Sequence, residues 1–176
     1  ESNRYFVDMK EMLQKSGKII AGLVGAEAAL VTTGCSSAMM LGVAAMMAGQ
    51  DPEKAARLPD ATGMKNEIII QSGQRYKYDR TLTFAGARLV EVGDKTGTSP
   101  GEIEEAISEQ TLALHYVASG NQAGVVPFEE LVRIGKQHNV PVLVDAAGQV
   151  YPVERLRKYK VEGADLVAYS SKYFGG

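Results

Sequence analysis

The chain reads as an α/β domain in three layers, built on a mostly parallel sheet. Three observations predict this. Short apolar runs alternate with segments of helical spacing along nearly the whole chain. Two of the runs, EIII and PVLV, are continuous rather than alternating, as strands covered by helices on both faces are. The connections carry helix-start chemistry: Ser99, Pro100 and Glu102 combine an N-cap, a proline at the first helical position and a capping-box acid. Pro127 opens the segment PFEELVRIGKQHN in the same way.

Taken in order, Phe6, Val7, Met9, Leu13, Ile19 and Ile20 recur at helical spacing across residues 4–22, and Gly22 and Gly25 end that run. AALVTTG, residues 28–34, predicts the first strand. A helix near 36–49 follows, then strand EIIIQS, a helix near 74–86, strand RLVEV and a helix near 100–109. Strand LALHYVAS, a helix over 128–138, strand VPVLVDAA and strand DLVAYSS complete the order. The polar stretch GQDPEKAARLPDATGMKN is read as a surface connection.

At 176 residues, with 45% hydrophobic and 23% charged content, the chain is sized for one compact core spanning 1–176. It carries 19 basic and 21 acidic side chains, a formal charge of −2 that gives nucleic acid and anionic membrane no electrostatic footprint. A single cysteine, Cys35, rules out an internal disulfide framework and fits a reducing, cytoplasmic setting. The most apolar stretch, residues 38–48, is too short to span a bilayer. Glu1 at one end and a glycine at the other lead to the expectation of a fragment cut at both ends.

In an open α/β sheet, ligands collect beyond the carboxyl ends of the strands. Three strand ends carry chemistry. TGCSSAMM follows ALVT, and Gly34, Cys35 and Ser36 open a helix whose N–H groups and dipole suit a phosphate. DAAGQ follows PVLV, leaving Asp145 as a carboxylate at the end of an apolar strand, where it needs a cation or a donor. SKYFGG follows DLVAYS and puts Lys172 at the same edge; a desolvated amine there is a nucleophile able to form a Schiff base. Each feature alone has an ordinary explanation, as a Ser-capped helix, an N-cap and a surface lysine. Together they suit a flat, phosphorylated aldehyde with a pyridine ring, pyridoxal phosphate (PLP).

The order of Gly-rich turn, VDAA and SSKY.GG resembles the large domain of fold type I, aspartate-aminotransferase-like PLP enzymes. TGCSSAMM, GARLVEVG, NQAGVVPFEELVRIGKQHNVPVLVDAA and SKYFGG are similar to the selenocysteine-synthase-like branch, which holds L-seryl-tRNA selenium transferase and D-glucosaminate-6-phosphate ammonia-lyase-like members. The resemblance implies Lys172 as the Schiff-base lysine, Asp145 on the pyridine nitrogen and Ala147 against one ring face. It places the phosphate on Gly34, Cys35 and Ser36, helped by Ser170 and Ser171 beside the lysine. Asn121 is a candidate for the ring oxygen, and Gln74 stands where many relatives stack an aromatic ring or a histidine, with Tyr76 or Tyr78 as substitutes. Gln149 follows Asp145 by four residues rather than the three of related desulfurases, so its role is not carried over.

The implied chemistry is proton abstraction or elimination at an amine-bearing carbon, with freed Lys172 as base. An ammonia-lyase reaction on a small amino acid or amino-sugar acid is expected ahead of selenium transfer to seryl-tRNA, because the chain shows no basic surface. A cofactor-free scaffold of the same fold is the other alternative. The resemblance also implies a homodimer or larger homo-oligomer and a missing C-terminal small domain. Asp94-Lys95-Thr96-Gly97-Thr98 matches the phosphorylation motif of ion pumps but comes without membrane spans, and G-x-G-x-x-G is absent after the first strand. His115 and His138, the only histidines, lie at strand and helix positions that suit neither a hydrolase triad nor a metal site.

Overall fold

The computed structural model describes residues 7–119 and 123–175. Five parallel strands form one sheet: β1 (Glu67–Gln71), β2 (Arg88–Val92), β3 (Thr111–Val117), β4 (Val142–Asp145) and β5 (Leu166–Ala168), in the order β2-β1-β3-β4-β5. The order reverses at β1 and β3, because the chain leaves β1 toward β2 and returns to build β3, β4 and β5 on the other side. Ligand crevices open at such switch points.

Helices cover both faces. On one lies α2 (Cys35–Ala48), whose Met39, Val43 and Met47 pack on Ile68, Ala113, Leu143 and Ala168. On the other lie α4 (Pro100–Ala106), α5 (Phe128–His138) and α6 (Arg155–Glu162). Their Ile103, Leu131, Ile134 and Tyr159 pack on Ile69, Leu114, Tyr116, Val142 and Val144. Burial on both faces accounts for the unbroken apolar runs of β1 and β4. The Ser99 capping box forms as expected, with Pro100 as the first residue of α4. Helix α1 (Met9–Val24) is capped by Asp8 and ends at Gly25 in a left-handed conformation. No helix among the described residues is long and apolar enough to cross a membrane.

Two expectations are corrected. Residues 28–34 form no strand: they pair with no ladder, and Leu30 and Val31 are exposed. An apolar run is a strand only where a neighbour offers backbone partners, and none of the described strands flanks this one. The helix expected near 74–86 is replaced by two 3-10 turns, Ser72–Gln74 and Asp79–Thr83. Gln74, Arg75 and Tyr76, which end the first turn and follow it, are tied to three different strands, which pulls the segment off a helical path. Two helices were not anticipated. Helix α6 is mostly charged and buries little but Tyr159, and α3 (Pro52–Arg57) lies inside the polar connection, started by Asp51. The Asp94 motif is an exposed turn after β2, where the Asp94 carboxylate accepts from Thr96.

Candidate active site

The carboxyl ends of β3, β4 and β5 are in register. Asp145 stands opposite Val117 on one side and Ala168 on the other, and the ladder runs one step further, with Ala118 N–H donating to Asp145 O and Ala146 N–H to Ala168 O, both at 2.9 Å. Asp145 therefore sits on the rigid part of the sheet, 9% exposed.

Three donors from three elements converge on its carboxylate. Its own strand exit supplies the Ala147 N–H, 3.0 Å from Oδ1. The start of α2 supplies the Cys35 thiol, 3.5 Å from the same oxygen. The loop after β1 supplies the Tyr76 phenol, which donates to Oδ2. Burial first, then the nearby Asp145 charge and its hydrogen bond, push Cys35 up to about 12, with Lys172 opposing. Burial and the bond to Asp145 likewise push the Tyr76 phenol up. Both groups are therefore protonated donors at neutral pH rather than bases or nucleophiles.

Gly34 caps α2 at φ 143° and ψ 172°, and Thr32 holds the turn by donating its hydroxyl to Gly34 O at 2.9 Å. Thr33 and Ser37 share a hydroxyl bond of 2.8 Å across the same turn. Among the described residues the first-turn N–H groups of Cys35, Ser36 and Ser37 have no acceptor, the usual state of a helix start. Because Cys35 belongs to this turn and touches Asp145, the helix start and the carboxylate form one locus.

Lys172 arrives four residues after Ala168, on the 3-10 turn Ser171–Phe174. Ser170, buried, anchors that turn: its N–H donates to Ala147 O at 3.2 Å, and Tyr173 N–H donates back to Ser170 O at 3.2 Å. The expectation of a buried lysine is corrected, since Ser171 and Lys172 are exposed and the ammonium lies 4.8 Å from the Tyr173 ring centre. Its charge still reaches Cys35.

Gln74 is buried, and its amide brackets Val117, accepting from its N–H at 3.1 Å and donating to its carbonyl at 3.0 Å. The side chain from this loop that reaches Asp145 is Tyr76, with Tyr78 stacked edge-on against it. Gln149 is bound to Ala118 O and Arg155, and Asn121 lies outside the described residues. One neighbour of the site, Arg75, went unread in the sequence, and another, His115, was given a strand position but no role in the site. Arg75 holds the loop by bonding Asp79 and Glu91, and His115 lies buried on β3. Neither stands in a motif: strand register brings His115 here, and the loop after β1 brings Arg75.

A switch-point sheet with an acid, an amine and a helix start at one edge defines the large domain of the PLP-dependent transferase fold. The chain belongs to the SelA, L-seryl-tRNA selenium transferase, family, whose model matches residues 10–176. It is 39% identical over 97% of its length to 5'-C-glycyluridine monooxygenase-decarboxylase of a Streptomyces species, covering 44% of that protein. It is 33% identical over 94% of its length to D-glucosaminate-6-phosphate ammonia lyase of Salmonella typhimurium, covering 45% of it. A solved structure of D-glucosaminate-6-phosphate ammonia-lyase superposes with a TM-score of 0.90 at 32% identity, over 97% of this chain and 47% of that one. The chain thus spans less than half the length of these relatives.

The donor set fits PLP. An ionised carboxylate offers roughly four lone-pair positions, and three are taken at Asp145, leaving one for a ring N–H. The helix start suits its phosphate, and Lys172 is an accessible amine.

Proposed function

We propose that this chain is the cofactor-binding core of a PLP-dependent enzyme, in which Lys172 is the attachment amine and Asp145 the partner of the pyridine nitrogen. The observation that carries this reading is the Asp145 corner: a carboxylate held by Cys35, Tyr76 and Ala147, in register with the strand that delivers Lys172. When bound, PLP supplies an electron-withdrawing ring that stabilises negative charge at an amine-bearing carbon.

The chain's own residues do the rest. Gly34 turns the chain so that the first-turn N–H groups of Cys35 and Ser36 would hold the phosphate, helped by Ser170 and Ser171, which precede Lys172 in the chain. Ala147 lies beside Asp145 and would pack on the ring. Tyr76 and Cys35, both kept protonated, fix the carboxylate's orientation without taking protons themselves. Lys172, exposed and free to move, takes a proton from the amine-bearing carbon and returns it.

The reaction is of the ammonia-lyase type on a small amino acid or amino-sugar acid, a reading supported by the 33% identical relative. A decarboxylation at the same carbon is the second reading, favoured by the 39% identity to a monooxygenase-decarboxylase. The functional unit is a homodimer or larger homo-oligomer of the full-length protein.

The test is spectroscopic. Full-length protein mixed with PLP is expected to develop a yellow imine band that borohydride fixes to the peptide carrying Lys172, and Lys172→Ala loses both. A missing band, or label on another lysine, refutes the reading. Released ammonia or released carbon dioxide from candidate substrates then separates the two reactions, and retention of seryl-tRNA on a filter would favour selenium transfer instead.

A further inference from the structure

His115 has no part in the reading above, yet its surroundings are unusual. The ring is 1% exposed, with Nδ1 3.2 Å from Leu143 O. A carbonyl oxygen only accepts, so Nδ1 carries the proton and Nε2 a lone pair. That Nε2 is buried and, among the described residues, has no hydrogen-bond partner. An unmatched buried acceptor is costly, and leucine at this place would avoid the cost, so packing alone does not account for an imidazole.

Strand register places the ring. His115 stands opposite Leu143, and Asp145 is two residues further along β4. Leu143 packs beneath α2, and side chains alternate across a sheet, so His115 and Asp145 emerge on that same face. The charges that reach the ring are both acids: Asp145 from β4, and Asp79 from the 3-10 turn, itself paired with Arg75. Helix α2 contributes no charged residue, Cys35 remains a thiol, and the register partner on β1 is Ile70. Burial outweighs the two acids and pushes His115 down to about 4, so the ring is neutral at pH 7.

We propose that His115 is a positioning residue linked to the cofactor through Asp145: a proton on Nε2 and a cationic ring nitrogen compete for the same carboxylate charge. This rests on the PLP reading. A protonated imidazole and a pyridine N–H are two positive charges that draw on one fixed carboxylate. Each weakens the other, and linkage makes the effect reciprocal. Binding of PLP drives the Nε2 proton into solvent, and acid weakens PLP binding through this residue.

The test follows the His115 ring by NMR in full-length protein labelled in histidine, titrated from neutral to acid pH with and without PLP, with exposed His138 as reference. The expected result is a His115 midpoint lowered by about one unit or more with PLP, a tenfold loss of proton affinity, and an unmoved His138. His115→Asn retains a donor for Leu143 O but lacks the Nε2 lone pair, and PLP affinity in this variant is expected to lose the extra acid sensitivity of the wild type. If the variant does not fold, the wild-type titration decides alone. PLP that binds without moving His115 overturns this inference and leaves the PLP reading standing; protein that forms no imine band overturns both.

Discussion

Gly34→Ala tests the cradle at its most constrained point. Gly34 lies at φ 143° and ψ 172°, a region that side-chain-bearing residues essentially never occupy. A Cβ built there meets nothing within 4 Å, so the substitution brings no clash and its whole effect is backbone strain. Such strain costs about 1–3 kcal/mol. If the turn keeps its shape, the cost appears as lost stability, about 2–4 °C of melting temperature per kcal/mol for a chain of this size and so a drop of about 2–12 °C. If the turn relaxes instead, the first-turn N–H groups swing away from the phosphate and PLP affinity falls. Gly22→Ala is the control: that glycine is also open within 4 Å but sits inside α1, where alanine should stabilise by about 0.5–1 kcal/mol. Thermal melts and PLP titrations of both variants decide the matter. A Gly34→Ala protein that melts with the wild type and binds PLP equally well would show that this turn neither needs glycine nor holds the phosphate.

Gln71→Leu should destabilise by about 2–5 kcal/mol in a denaturant melt, because the buried amide receives the Val126 N–H at 2.7 Å and donates to the Val126 carbonyl at 3.3 Å, and leucine leaves both backbone groups unmatched. His115 should make the fold acid-labile. With the folded ring near 4 against an ordinary 6.5, the unfolded chain binds the proton more readily, so stability present above pH 6.5 is lost as pH falls toward 4. The loss totals about 3 kcal/mol, and a stability-against-pH series on His115→Leu should flatten over that window.

Much of this architecture was legible because parallel sheets write themselves locally. Residues of β1 and β4 are buried on both faces, and their continuous apolar runs say so; Ser99 and Glu102 state a helix start in four residues. The same local reading failed where a partner decides. Leu30 and Val31 look like a strand, but no described strand offers them a ladder. Residues 74–86 have helical spacing, yet Gln74, Arg75 and Tyr76 are bound to Val117, Glu91 and Asp145, whose approach no spacing rule encodes. In the site, Asp145, Gly34 and Cys35 were findable because each follows an apolar run. Tyr76 was only one of two tyrosines in a loop, and His115 was one more residue inside a strand. What distinguishes it, sharing a face with Asp145, depends on the offset between β3 and β4.

That dependence on register also explains how the site divides its work. Asp145 and Ala168 are direct neighbours on adjacent strands, which lie about 4.8 Å apart in any sheet. The acid is thereby fixed relative to the strand that delivers the amine, without help from loop packing. Protonated Cys35 and Tyr76 then lock the carboxylate into a stationary charge. Lys172 sits beyond the last ladder bond on a short turn held through Ser170, with its side chain exposed. On the proposed reading, an amine that binds the cofactor, releases it and carries a proton needs such freedom, and an acid that holds a ring nitrogen needs the opposite. Stiffening the turn, as by replacing Ser171 with proline, would impair the amine and spare the acid, whereas shifting β4 by one residue would turn Asp145 to the other face and abolish the site altogether.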